Sequence, residues 1–383
     1  MRTVDRSDST LIDVPRGLAN VVVAETAIGD VRGHEGFYHY RGVPALDLAD
    51  GGSFETAWQL VLTGATTDEA FAARAARARA LPSALDAAVG EIAVRTRSAD
   101  PLAGLQAILP LIGAADGIRP LYDRDDDAAI DDAVRLGASV PTAVAALFRA
   151  ARRETPIAPD PTLGHVEDYL RMLTGRRPHE RHVAALSAYM TAAIEHGFNA
   201  STFTTRVIAS TGADLFSCAV GGLAALGGPL HGGAPIRALE ALEEIGEPAA
   251  ADSWVRAAID SGRRIMGFGH AVYRTEDPRA RLLRRIAVEL RRDGLAGPRV
   301  DLAIAVERSV LAALAELKPG RELHTNVEFY AAVVMEACGV PRELFGATFA
   351  AARVVGWSAH ALEQSRDPKI IRPAARYTGT ASR

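Results

Sequence analysis

The spacing of apolar residues beyond residue 42 constrains this chain more than any other feature. Leu302, Val306, Val310 and Leu314 recur every four positions, and Leu317 closes the stripe before "KPG". Leu186, Met190 and Ile194 repeat the pattern ahead of His196, and Leu282, Leu283, Ile286 and Leu290 form a third stripe. Residues three and four apart share one face of an α-helix, so each stripe predicts an amphipathic helix with that face buried. Helix stops fall where the stripes end: "TGRRP" after Leu173, "DGLAGP" at 293–298, "KPG" at 318–320 and "CGVP" at 338–341. Strand signals gather in "VVVAETAIGDVRGHEGFYHYRG" (21–42), where β-branched and aromatic residues broken by Gly read as strands and a hairpin. Strands this sparse exclude an alternating α/β fold. The expected fold is mainly α with a short N-terminal β segment.

A length of 383 residues exceeds the usual single domain, so two domains or one enlarged domain is expected. Hydrophobic residues at 48% and charged residues at 23% fit a soluble globular protein with a large core. The net charge of −4 gives no electrostatic case for nucleic acid or a membrane surface as partner. No apolar run is long enough for a membrane span, and "MRTVDRSDSTLIDVPRG" lacks the apolar stretch of a secretory signal, so a cytoplasmic location is expected. Cys218 and Cys338 lie in Ala-rich apolar surroundings, which reads as two reduced, buried thiols. The segment 207–227, "VIASTGADLFSCAVGGLAALG", is nearly uncharged and full of small residues; it reads as a helix buried at a subunit interface rather than in a simple core.

Two histidines stand in glycine-rich turns: His231 in "GGPLHGGA" and His270 in "MGFGHAVYRTEDPRAR". Glycines permit positive φ and let a ligand approach the backbone closely. Either histidine alone could be a surface or capping residue; the two together point to a site. His196, in "EHGFNASTFTTR", follows a helix, where a satisfied histidine at the C-terminus is the default. Arg279 follows Pro278, Arg372 precedes Pro373, and Arg353 lies in the apolar run "FAAARVVGW", where a guanidinium is costly unless paired. Converging arginines suit a small dianion, because the planar fork matches carboxylates; structural ion pairs would explain each one singly. In "HTNVEFY", Thr325 stands three residues before Glu328, the pattern of a capping box. The P-loop, HExxH and GxSxG patterns are missing, GxGxxG is incomplete, and no His, Cys and Asp cluster has metal-ligand spacing, so no metal or cofactor is expected.

Read in order, "GLANVVVAETAIGDV…YHYRG", "EHGFNASTFTTRVIAST", "GPLHGGA", "MGFGHAVYRTEDPRA", "NVEFY" and "FAAARVVGWSAHALEQ…KIIRPAARY" resemble the successive signature blocks of the citrate synthase family, from about residue 17 to 379. The resemblance implies a two-domain helical fold and a homodimer with its active site in the interdomain cleft. The polar residues 1–16 read as a flexible N-terminus, and the resemblance implies a large domain from 17–230 and 334–383 and a small domain over 231–333. It implies condensation of acetyl-CoA with oxaloacetate and hydrolysis of the thioester, with 2-methylcitrate synthesis from propionyl-CoA as the near alternative. Residue by residue, His231 matches the histidine that stabilises the enolate, His270 the one that polarises the oxaloacetate carbonyl, and His196 an oxaloacetate ligand. Arg279, Arg353 and Arg372 match the carboxylate-binding arginines, the last from the partner subunit, and Arg274 matches a CoA contact. Glu328 stands where the family carries its catalytic aspartate, in a block usually written "NVDFY"; "HGF" replaces "HEL" after His196, and "RPAARY" replaces "RPRARY". The departure at Glu328 also admits a catalytically weak, oxaloacetate-binding or regulatory homologue; a related condensation with another 2-oxo acid is a third possibility. A capping role and a catalytic role compete for this one side chain.

Overall fold

The computed structural model describes residues 11–66, 69–97, 100–229, 231, 234–263, 265–269, 272–273, 275–317 and 323–380. His270 and Arg274 lie outside the described residues, as do positions 1–10 of the N-terminal segment.

The hairpin forms, over a shorter stretch than the sequence predicts. β1 (Gly29–Arg32) pairs antiparallel with β2 (Phe37–Tyr40), Asp30 opposite His39, and β2 pairs with β3 (Val43–Pro44). Alternation along β2 sends Tyr38 and Tyr40 to one face, where their hydroxyls donate to the Ala192 carbonyl at 3.0 Å and the Thr191 carbonyl at 2.9 Å. Residues 21–28, which also read as strand, form none; only the Ile28 carbonyl, accepting the Arg41 N–H at 2.9 Å, continues the hairpin pairing among the described residues. Their β-branched side chains favour an extended backbone, but no second strand lies beside them among the described residues. A side chain supplies a partner instead: Glu363 Oε1 accepts the Ala27 N–H at 2.8 Å.

The remainder is helical. The centre is Phe345–Ser365, buried along nearly its whole length. Around it pack Phe54–Thr63, Asp126–Ala151, Glu180–Ala193, Ala200–Ala209 and Leu215–Leu226. The uncharged 207–227 segment is therefore not one helix. It breaks at Ser210–Asp214, where the Asp214 carboxylate caps the second helix by accepting the Ser217 N–H at 2.9 Å. Much of its apolar character is spent inside the chain, because Leu215, Phe216, Ala219, Leu223 and Leu226 are buried. Helices Ala234–Ile245, Ala251–Asp260, Pro278–Arg292, Arg299–Leu317 and Val327–Ala337 pack chiefly on one another and reach the first set mainly where Pro278–Arg292 and Val327–Ala337 meet Glu180–Ala193.

The stripes behave as their spacing requires: Leu302, Val306, Val310, Leu282, Leu283 and Leu290 are all buried, while Leu317 at the frayed end is 37% exposed. Both cysteines are buried and unbridged. No helix among the described residues is long and apolar enough to cross a membrane.

Candidate active site

A cavity of about 1000 Å³ opens between the two sets of helices. His196, His231, Arg279, Glu328 and Arg353 all line it. Arg372 does not: it is exposed on the extended tail that follows Phe345–Ser365.

Glu328 owes its place to a short backbone ladder. Phe268 and Thr325 form an isolated antiparallel bridge. Gly269 N–H donates to the His324 carbonyl at 2.8 Å and Asn326 N–H to the Gly267 carbonyl at 2.9 Å. Gly267 fits this approach because it has φ 88° and because a Cβ there would stand 2.8 Å from Phe329 Cβ. With Thr325 held in the ladder, the helix Val327–Ala337 cannot begin there, and the expected capping box between Thr325 and Glu328 does not form. Asn326 is the cap, its Oδ1 accepting the Glu328 N–H at 3.1 Å, while its Nδ2 donates to the Gly269 carbonyl at 2.8 Å. The Thr325 hydroxyl donates to Glu307 Oε1 at 2.8 Å.

The Glu328 carboxyl is thus free of the backbone and turned to the cavity. Its Oε2 is buried without a hydrogen-bond partner among the described residues. Burial pushes its pKa up to about 7, against the pull of the Arg279 charge and, more weakly, of Arg353; Asp277 adds to the rise.

The two arginines differ. Arg353 is buried, its Nε donates to the Ala193 carbonyl at 2.7 Å, and its Cζ lies 4.7 Å from the Phe349 ring centroid. No carboxylate within salt-bridge distance neutralises it among the described residues, so the structural ion pair that would explain it away is not there. Burial lowers its pKa, partly opposed by Glu195. Arg279 is engaged: its Nε and Nη2 donate to the two oxygens of Asp277 at 3.0 and 2.9 Å. Burial pulls its pKa down and the Asp277 charge more than offsets that, leaving it raised. Asp277 also accepts the Val327 N–H at 2.9 Å, which ties Arg279 to the start of the Glu328 helix.

His231 Nε2 lies 2.9 Å from Ser201 Oγ, and Ser201 donates to Asn199 Oδ1 at 2.7 Å. Burial, with the Arg353 charge behind it, lowers the His231 pKa, so the ring is held uncharged. His196 Nε2 lies 2.9 Å from the Tyr273 hydroxyl, and its ring meets Tyr38 edge-on at 5.3 Å. Its position after a helix is not merely that of a capping group.

Ser201, Tyr273 and Asp277 were missed in the sequence as site residues. Each lies inside a signature block, one to five residues from a candidate residue. The Asp277-Pro278 pair that starts the Arg279 helix was the most legible of these signals. Among the described residues no group of three His, Cys, Asp or Glu side chains could hold a metal.

A mainly helical chain with a carboxylate, two histidines and two arginines around one cavity defines a class, and three comparisons specify it. The family model "Citrate synthase, C-terminal domain" matches residues 17–374. "Putative citrate synthase 2" of Mycobacterium tuberculosis is 39% identical over 371 residues, covering 96% of this chain and 93% of that protein. "2-methylcitrate synthase" of the same species is 35% identical over 375 residues, covering 97% and 92%. The crystal structure of Thermoplasma acidophilum citrate synthase, in a ternary complex with carboxymethyl coenzyme A and oxaloacetate, superposes with a TM-score of 0.86 at 27% identity, covering 97% of each chain. The chain belongs to the citrate synthase family.

Proposed function

We propose that the protein condenses an acyl-CoA with oxaloacetate and hydrolyses the resulting thioester, with acetyl-CoA as the first substrate and citrate as product. The observation that carries this reading is Glu328: a carboxyl released from its helix cap, turned to the cavity, with burial holding its pKa near 7. A base of that pKa is half ionised at neutral pH and still strong enough to take a proton. The thioester α-proton is far less acidic than a carboxylic acid, so it leaves only if the enolate oxygen is stabilised as charge develops. His231, uncharged, would donate that hydrogen bond from Nδ1, with the Ser201 hydroxyl turned from Asn199 to donate to its Nε2.

Arg353 would take one oxaloacetate carboxylate, and Arg279, held by Asp277, would add positive charge beside it. His196 would bind oxaloacetate. By family resemblance, His270 would polarise its ketone, Arg274 would contact CoA, and Arg372 would enter the site from a second copy of the chain. The enol carbon then bonds to the polarised ketone carbon, and water cleaves the thioester to free CoA. Helices within 234–337 pack mainly on one another, which supports a small domain over 231–333 that closes on the larger one and excludes water until condensation is complete.

The relative named 2-methylcitrate synthase supports a second substrate, propionyl-CoA, because one extra methylene shifts specificity only modestly. The test is release of free thiol when the protein meets oxaloacetate with either acyl-CoA. No release with either would overturn the reading, and the ratio of the two rates assigns the acyl group.

Two predictions arise here. A Cβ on Gly33, at the hairpin turn, would stand 2.2 Å from the Val272 carbonyl oxygen, in the loop that follows His270. Gly33→Ala must displace that loop; displacement near 1 Å costs about a hundredfold in turnover, and with the turn outside the buried Tyr38–Tyr40 face of the hairpin the melting temperature should barely change. Unaltered kinetics would show that this contact does not set the loop.

The second prediction concerns Arg372, which is exposed in the single chain. Chains carrying His270→Ala and chains carrying Arg372→Ala should each be nearly inactive. Mixed and re-annealed, they should recover roughly a quarter of wild-type activity, because half of the dimers would each hold one intact site. Sedimentation as a monomer, or no recovery, would remove the shared site.

A further inference from the structure

We infer that Glu195, His360 and Arg206 form a buried positioning network that fixes the 196–199 loop and, through it, His196 and His231. The inference rests on the reading above in giving those two histidines their work. The three side chains are 1%, 1% and 3% exposed. A guanidinium carries only donors, so Arg206 Nη1, 3.0 Å from His360 Nδ1, donates to it. The proton of a neutral His360 ring is therefore on Nε2, which faces Glu195 Oε1 at 3.5 Å. Among the described residues neither Glu195 oxygen nor His360 Nε2 has a hydrogen-bond partner, so the two meet as a close polar approach and not as a formed hydrogen bond. The wall behind the carboxylate is Gly29, where a Cβ would stand 2.3 Å from Oε2. Chain packing thus sets His360 Nε2 against the carboxylate, which also acts on the charge of Arg353 from beyond salt-bridge distance.

Arg206 is the hub. Its Nε donates to Gln364 Oε1 at 2.9 Å and its Nη1 to Glu363 Oε2 at 2.6 Å. Its Cζ lies 5.3 Å from the Phe198 ring centroid, a cation–π contact. Phe198 in turn meets His360 edge-on at 6.2 Å and lines the cavity. It stands two residues after His196 and one before Asn199. Asn199 Oδ1 accepts the Thr202 N–H at 3.1 Å, capping the next helix, and the Ser201 hydroxyl at 2.7 Å, and Ser201 holds His231. One pinned aromatic ring thereby sets the loop from which both histidines are oriented.

Stability alone is a poor reason for such a cluster, because well-packed apolar side chains of similar volume often stabilise a core as well as buried ionic groups do. Geometry is the better one, since misplacement near 1 Å costs about a hundredfold. His360 Nε2 is buried and Nδ1 is committed to Arg206, so His360 is a positioning residue and not a catalytic one.

The test compares His360→Leu, His360→Gln and Phe198→Leu in the full chain, reading oxaloacetate affinity by calorimetry, kcat and KM by CoA release, and melting temperature. A glutamine amide can accept from Arg206 and donate to Glu195; leucine can do neither. His360→Leu should weaken oxaloacetate binding and lower kcat/KM by about tenfold or more, and His360→Gln should recover to within about threefold of wild type. Phe198→Leu leaves the buried network whole and should reproduce the loss without lowering the melting temperature. Equal behaviour of the leucine and glutamine variants at 360, or wild-type behaviour of Phe198→Leu, would overturn the inference; should His360→Leu fail to fold, the other two variants decide it. Wild-type CoA release scores the functional reading separately: a protein that binds oxaloacetate without turnover would fail that reading, while the calorimetric comparison still decides the network.

Discussion

Glu328→Gln is expected to cut turnover by about 10²–10⁴ while leaving the fold intact, because the amide keeps the shape of the side chain and removes the base. The size of the loss distinguishes a base from a cap. Asn326, not Glu328, closes the first turn of the Val327–Ala337 helix, so no cap is lost in the variant. Stability should move the other way. The folded-state pKa is raised from 4.5 to about 7, chiefly by burial. A raised carboxyl pKa means that the folded protein holds the proton more tightly than the unfolded chain does. The associated stability is complete below about pH 4.5 and is lost as pH rises through about 7. The loss is on the order of 3 kcal/mol. Glu328→Gln should remove that slope and be the more stable protein at pH 8, measured by denaturant unfolding across pH.

In the wild type, kcat/KM should rise with pH through about 7 as the base ionises, and the variant should lack that limb. Exchange of acyl-CoA α-protons with deuterated water, run beside a non-condensing oxaloacetate analogue, isolates the step; undiminished exchange in Glu328→Gln would assign the base elsewhere. Glu328→Asp shortens the reach by one methylene. It should be slower if the backbone has settled to suit glutamate.

His231→Ala is expected to cost about 10²–10³ in kcat, the loss typical of removing one donor from a developing oxyanion. The ring is half-buried at a turn and outside the helical stripes, so little apolar packing goes with it. Burial and Arg353 hold its pKa down, so it stays uncharged through the neutral range and should add no protonation limb of its own there. Ser201→Ala should give a smaller loss in the same direction, because the imidazole remains and only its hydrogen-bonded partner is gone. A His231→Ala protein with normal kcat and normal melting temperature would take this residue out of the reaction.

Much of the candidate site is legible in the sequence. Helix stripes follow from a period of 3.6 and a need to bury one face, and that is local information. Histidines flanked by glycines and an arginine in an apolar run are local anomalies, and His196, His231 and Arg353 do line the cavity. The short β segment was legible as well, but its extent was not: whether 21–28 pairs depends on a neighbouring strand, and none lies there among the described residues.

The sequence by itself determined a helical chain, its stops, and a set of polar residues that packing alone does not explain. Only the tertiary structure decided which way Glu328 faces. Thr325 and Glu328 have the spacing of a capping box, and a local rule would pair them. The backbone of 267–269, 57 residues away at Gly269–Asn326, bonds to 324–326 first, delays the helix by one residue and hands the cap to Asn326. The glutamate is left with no backbone partner and a cavity to face. No window of sequence contains both halves of that ladder, which is why one side chain could be read two ways until the chain was folded.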